Sequence, residues 1–229
     1  MNFMDLRFLG CGACFYPSFH NTSAYFVYRN NLILLDCGET VYERLLEREN
    51  LNEFDQIYIV LTHLHADHVG SLGSMLSYCK CILKRRIIVV HPEKTICELL
   101  QLLGIDDDFY YYVDRLTDEI EDLHIIPHEV RHVPNMICYG YEIECPEGHV
   151  YYSGDSVGIP EEVLKKFLAG EITELYQDTS THNSEEPTHM YYGKLEAAIP
   201  ESERHRVTCM HLDCDCKQLL KDKGFKVIE

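Results

Sequence analysis

His63-Leu64-His65-Ala66-Asp67-His68 stands directly behind the apolar run Ile57–Leu61 and ahead of the helix-like stretch Val69–Tyr78. A strand that delivers the chain into such a loop can aim several imidazoles and a carboxylate at one point. Neutral imidazole and carboxylate are the donors that borderline divalent ions such as zinc accept. His63 and His65 alternate, so they share one face of extended chain. Asp67 and His68 lie past the bend, within reach of a second ion. A polar loop can place two histidines together by chance, but four ligand-type residues at this spacing point to a metal site.

Bulk properties narrow what such a site could serve. The 229 residues are 46% hydrophobic and 25% charged, ordinary values for a globular chain read here as one domain, 1–229. No apolar stretch approaches a membrane span of about 18 residues. The opening Met1-Asn2-Phe3-Met4-Asp5-Leu6 lacks the basic start and apolar core of a secretory signal, so a cytoplasmic protein is expected. The eleven cysteines are then expected as thiols. Cys209, Cys214 and Cys216 beside His211 are candidates for a thiolate site, a reading disfavoured because no C-x-x-C pair occurs among them. The formal charge of −18 repels polyanions and disfavours long nucleic acid as a partner; a small anionic substrate gripped by metal ions meets less opposition. The concentrated basic run, Lys80–Arg86, reads as a solvated turn.

Hydrophobic periodicity organises the rest. Strands are expected at Arg7–Leu9, Ser23–Tyr28, Leu32–Asp36, Ile57–Leu61, Ile87–His91, Leu123–Ile126, Cys138–Glu144, His149–Tyr152, Glu174–Gln177, Val207–Met210 and Phe225–Ile228. Helices are expected at Val41–Arg48, Val69–Tyr78, Glu93–Leu103, Glu161–Leu168, His189–Ala198 and Lys217–Lys221. Early strands, then α/β alternation, then hairpin strands and α/β again imply an α/β fold, an αββα sandwich of two mixed β-sheets flanked by helices.

Two ions need more ligands than one loop supplies. Asp155 follows a strand and the small residues Ser153-Gly154, and a carboxylate there can bridge two cations. His211 directly follows Val207–Met210. Of the histidines near Val130, His132 is preferred to His128, which lies behind Pro127, and to His124 within a strand. His20, His91, His149, His182 and His205 are read as surface or packed residues.

Phe8-Leu9-Gly10-Cys11-Gly12, Leu35-Asp36-Cys37-Gly38-Glu39, the His63–His68 loop, His132 followed by Tyr139-Gly140-Tyr141, Tyr152-Ser153-Gly154-Asp155 and Met210-His211 occur in one order along nearly the whole chain. In these the chain resembles the metallo-β-lactamase fold superfamily, and within it the ribonuclease Z branch. The resemblance implies a dinuclear site: His63, His65 and His132 on one Zn2+, Asp67, His68 and His211 on the other, Asp155 bridging. Mn2+ or Fe2+ suits the same donors. It also implies catalytic roles for Asp178, in Tyr176-Gln177-Asp178-Thr179, and for His189, and Asp67 is counted as catalytic as well as a ligand. Asp178 takes the place of a family glutamate, and His189 that of a histidine proton donor. The other readings are that Asp178 caps a turn and His189 opens a helix. A homodimer is implied by analogy.

Three departures argue against tRNA cleavage. Only Val133–Gly154 separates His132 from Asp155, where the branch inserts a tRNA-gripping arm. Its basic loop is reduced to Pro17-Ser18-Phe19-His20-Asn21, without Lys or Arg, and the net charge opposes a polyanion. The chain is closest in character to armless cyclic-nucleotide phosphodiesterases of the anti-Pycsar type and their bacterial homologues. The expected activity is hydrolysis of a small phosphodiester, a 3′,5′-cyclic nucleotide. The alternatives are an armless tRNA or RNA nuclease, another small-diester hydrolase, and a non-catalytic metal-stabilised domain.

Overall fold

The computed structural model describes residues 6–116 and 120–229; the first five residues, read above for targeting, lie outside the described residues. By internal packing the chain divides into two compact units. Among the described residues, one joins Leu6–Gly10 with His20–Leu116, and the other joins Cys11–Phe19 with Ile120–Glu229. Each carries one six-stranded mixed sheet flanked by helices.

In the first unit the strands lie side by side in chain order: β1 (Arg7–Gly10), β2 (Ser23–Tyr28), β3 (Asn31–Leu35), β4 (Gln56–Val60), β5 (Ile87–Val90) and β6 (Tyr110–Val113). The first three pair antiparallel and β3 to β6 parallel. Arg29 and Asn30 both hold positive φ, 45° and 61°, as a primed two-residue hairpin turn requires. Parallel pairs need crossovers, supplied by α1 (Val41–Arg48), α2 (Ala66–Val69), α3 (Leu72–Cys81) and α4 (Thr95–Leu102). Val41 and Leu45, Leu72, Met75 and Leu76, and Ile96 and Leu100 recur at helical spacing. They pack on alternate strand residues Leu32, Leu34, Ile57, Ile59, Ile87 and Val89.

The second unit repeats the scheme with β7 (His124–Val130), β8 (Cys138–Cys145), β9 (Gly148–Tyr152), β10 (Glu174–Asp178), β11 (Val207–Met210) and β12 (Lys226–Val227), again in chain order. Strands β7 to β9 are antiparallel and β9 to β12 parallel. Helices α5 (Glu161–Leu168), α6 (Tyr192–Ala198) and α7 (Lys217–Asp222) bury Val163, Phe167, Leu195 and Leu220 against Tyr151, Leu175, Val207 and Cys209. Both β7 and β9 oppose β8, so β7, β9, β10 and β11 share a direction. Their C-terminal ends lie along one edge of this sheet.

Most expected elements are present within one or two residues, and four differ for physical reasons. The single helix expected at Val69–Tyr78 is two, α2 and α3, because Cys37 intrudes: its N–H donates to the His68 carbonyl at 2.7 Å and its carbonyl accepts from Ser71 N–H at 3.1 Å. Strand β7 runs on through Pro127 to Val130, which an edge strand permits. The helix expected from His189 starts at Tyr192, because Ser180 exchanges backbone hydrogen bonds with Met190 and Tyr192 and holds that stretch extended. Strand β6 is not among the expected elements; it forms because Tyr110–Val113 pair in parallel with Ile87–Val90. No helix among the described residues is long and apolar enough to cross a membrane.

Glu142 on β8 is buried, and its carboxylate accepts from His128 Nε2 at 2.9 Å, His149 Nε2 at 2.7 Å and Lys166 Nζ at 2.9 and 3.0 Å. Burial alone would raise its pKa; the bonds from Lys166, His149 and His128 outweigh it and hold the carboxyl below the usual glutamate range. A lowered carboxyl pKa stabilises the fold above the unfolded value, and that stabilisation is lost as pH falls through the folded value. Glu142→Gln is therefore expected to lower the melting temperature at neutral pH and to flatten the stability loss between roughly pH 5 and 3, read by thermal melts across that range.

Candidate metal centre

In the first unit the site is built on Asp36, the residue after β3, buried and at φ 64°. Its carboxylate accepts the Thr62 N–H at 2.7 Å and the Thr62 Oγ hydroxyl at 2.9 Å, fastening the end of β3 to the loop after β4. It also accepts His68 Nδ1–H at 2.8 Å, which leaves Nε2 as the lone-pair nitrogen, 3.4 Å from Asp67 Oδ2. With the Thr62 hydroxyl proton directed at Asp36, its oxygen accepts from His63 Nδ1 at 3.0 Å. His63 Nε2 then faces His65 Nδ1 at 3.0 Å. The structure thus brings His63, His65, Asp67 and His68 together, all but His65 buried. Gly38 makes the packing possible, since a Cβ there would overlap the Asp67 carbonyl.

In the second unit Asp155 lies between two imidazoles. Its Oδ1 is 3.3 Å from His211 Nε2 and its Oδ2 is 3.6 Å from His132 Nε2. His132 follows β7, and its Nδ1–H donates to the Thr188 carbonyl at 2.7 Å, so Nε2 again carries the lone pair. Burial holds the His132 pKa below its usual value despite the pull of Asp155, favouring the neutral ring that a cation needs. Gly154 and His211 take left-handed φ, 55° and 56°, where β9 and β11 end. For His211 this is a strained conformation of the kind that collects at functional sites.

Asp178 closes β10 and is buried. Its Oδ2 accepts His189 Nδ1–H at 2.8 Å and Ser156 N–H at 2.9 Å, and its own N–H donates to Ser153 Oγ at 2.9 Å. The His189 ring lies 5.0 Å from both the His132 and the His211 ring, centre to centre, with 29% of its side chain open to solvent. Burial opposes its charge, but Asp178, at contact, and Asp155 prevail and raise its pKa. Asp155, Asp178, His189 and His211 each offer one donor atom within 4.8 Å of one another. His128, by contrast, is engaged by Glu142.

These donors fit divalent cations. The Nδ1 atoms of His68 and His132 donate to a carboxylate or a carbonyl, which turns Nε2 out as a ligand atom beside a buried carboxylate oxygen. Sequence reading did not single out Thr62, Thr188, Ser156 or the role of Asp36. Asp36 had a signal, its place in Asp36-Cys37-Gly38, while the others act through backbone groups or a common hydroxyl.

The profile of the anti-Pycsar protein Apyc1 family matches residues 4–228. The chain belongs to that family. It is 29% identical to the anti-Pycsar protein Apyc1 of Bacillus phage BSP38 over 232 aligned residues, covering 90% of this chain and 88% of that one. Among solved structures it is similar to the metallo-β-lactamase fold protein YhfI from Bacillus subtilis, with TM-score 0.74, 16% identity and coverage of 97% and 94%. It is similar also to human tRNase Z, short form, with TM-score 0.72, 20% identity and coverage of 99% and 96%. These likenesses show the metallo-β-lactamase fold. As a member of the Apyc1 family the chain is a metal-dependent hydrolase of the phosphodiesterase class.

Asp36→Asn is expected to lower metal affinity by about 10–100-fold, because the ring of His68 loses the charge that orients it. Metal retained after dialysis against a competing chelator measures this. Unchanged retention would remove Asp36 from the centre.

Proposed function

We propose that this enzyme hydrolyses a 3′,5′-cyclic nucleotide to a nucleoside monophosphate at a dinuclear centre. His63, His65 and His132 would hold one cation, Asp67, His68 and His211 the second, with Asp155 shared. Zinc is the proposed ion, and manganese or iron the substitutes that His and Asp donors accept. When bound, such ions supply positive charge to a phosphodiester and acidify water toward neutral pH.

The protein's own contribution is proton management at the leaving oxygen. An alkoxide leaving group is strongly basic, and a positioned acid contributes about 10²–10⁴ in rate. The observation that carries the reading is the His189–Asp178 pair, 2.8 Å between Nδ1 and Oδ2, set among the rings of His132 and His211. Asp178, held in turn by Ser156 N–H, keeps Nδ1 as a donor and favours the imidazolium, leaving Nε2–H to protonate the ribose oxygen. Asp67 serves as ligand, its Oδ2 lying 3.4 Å from His68 Nε2.

Substrate size is argued from what surrounds the chemistry. The stretch from Val133 to Gly154 is occupied by β8 and β9 with their hairpin, leaving no length for an arm. Three of the four basic residues in the run Lys80–Arg86 are occupied: Lys80 donates to the Asp108 carbonyl, Arg85 to those of Leu51, Phe54 and Asp55, and Arg86 to those of Asp107 and Tyr110. Family membership supports a cyclic nucleotide as the substrate.

His189→Ala should retain its metal by elemental analysis and lose about 10²–10⁴ in kcat; an unchanged kcat would dismiss His189 as the acid. Incubation with cyclic mononucleotides, cyclic dinucleotides and a tRNA precursor, with products resolved by chromatography, tests the substrate. Nucleoside monophosphates are expected from the first class, and a chelator should abolish them. Cleavage of the tRNA precursor alone would replace the proposal with a ribonuclease Z-type activity.

A further inference from the structure

A second group of donors lies on the segment joining β11 to α7. Asp213, Cys214 and Cys216 each offer one ligand atom, and the three lie within 4.8 Å of one another. His182 adds an exposed imidazole, its Nε2 3.8 Å from Asp213 Oδ2. The segment is held in place from both sides. Leu212 N–H donates to the Cys11 carbonyl at 2.8 Å, and the Leu212 carbonyl accepts from Ala13 N–H at 3.0 Å. Cys216 N–H donates to the Cys214 carbonyl at 2.9 Å, and Cys216 itself precedes the first turn of α7.

Asp213 has a structural task. Its Oδ2 accepts from Ser180 Oγ at 2.6 Å and Thr181 N–H at 2.9 Å, and its Oδ1 from Thr181 Oγ at 3.0 Å. These bonds tie the Ser180–His182 stretch to the segment after β11, and the carboxylate alone suffices for that. They do not account for two thiols gathered beside it, one half-buried and one buried. The same bonds fix the carboxylate while leaving a lone pair on Oδ1, so the oxygen donor is oriented in advance.

We infer that Asp213, Cys214 and Cys216 form a site for a thiophilic divalent cation of the zinc and cadmium class, distinct from the hydrolytic centre. Two thiolates and a carboxylate are three donors of the types that hold zinc, and water can complete the four-coordinate shell. On binding, two S–H bonds break, two metal–sulfur bonds form and two protons pass to solvent, with no change of oxidation state. The ion staples the stretch that leads toward His189 to the stretch that follows His211.

The test is titration of the reduced, full-length protein with Cd2+, following the ultraviolet thiolate-to-cadmium charge-transfer band and counting bound ions by equilibrium dialysis. The C214S/C216S double variant should bind one ion fewer and lose most of the band. Asp213→Asn should weaken that ion by at least ~10-fold. A band and an ion count unchanged in the double variant would overturn the inference. Should that variant fail to fold, alkylation of wild-type thiols mapped by peptide mass spectrometry decides: Cd2+ should protect Cys214 and Cys216, and equal labelling with and without Cd2+ refutes the site.

Discussion

A carboxylate sealed from water at the end of β3 organises the first half of this molecule. Burying an ion is costly unless hydrogen bonds replace its hydration. Asp36 meets that requirement with the Thr62 N–H, the Thr62 hydroxyl and the His68 imidazole. Each of those groups belongs to the chain that follows β4, so satisfying the charge also sets the course of the His63–His68 loop. The left-handed φ at Asp36, the absence of a side chain at Gly38 and the break between α2 and α3 all follow from bringing these two segments together.

The second unit solves the same problem at a different strand end. Asp178 is buried where β10 stops, and it accepts a backbone N–H from Ser156 and the Nδ1 proton of His189. In each unit a buried carboxylate fixes the tautomer and aim of an imidazole, Asp36 that of His68 and Asp178 that of His189. Such supporting groups are worth about one to two orders of magnitude in affinity or rate where they have been removed from metal enzymes. Parallel strands ending together make this economical, because neighbouring loops emerge side by side and converge without long excursions.

Charge then bears on the substrate. A net charge of −18 is a poor host for a long polyanion, and Lys80, Arg85 and Arg86 are occupied as donors to main-chain carbonyls. Their task is to close the turns around β5 and β6. The small diester proposed as substrate would instead be held by cations at the strand ends, where the surrounding acidity matters less because the contacts are short and direct.

Much of this was readable in the order of residues. The His63–His68 loop behind an apolar strand, an aspartate behind Ser153-Gly154 and a histidine directly after β11 announce metal chemistry, because ligand types and strand ends are local properties of the chain. The alternation that builds both sheets is local too. What only the folded structure decided are the relations between distant segments. Pro127 does not end β7 because that strand lies at a sheet edge, and His128 is removed from the metal question by Glu142, fourteen residues away. His189 precedes its helix because Ser180 pairs with its neighbours. Asp36 was visible as part of a motif, yet its partners Thr62 and His68 come from another strand's loop. Sequence spacing shows which donors exist; which proton each one holds depends on contacts that form only when remote backbone groups meet.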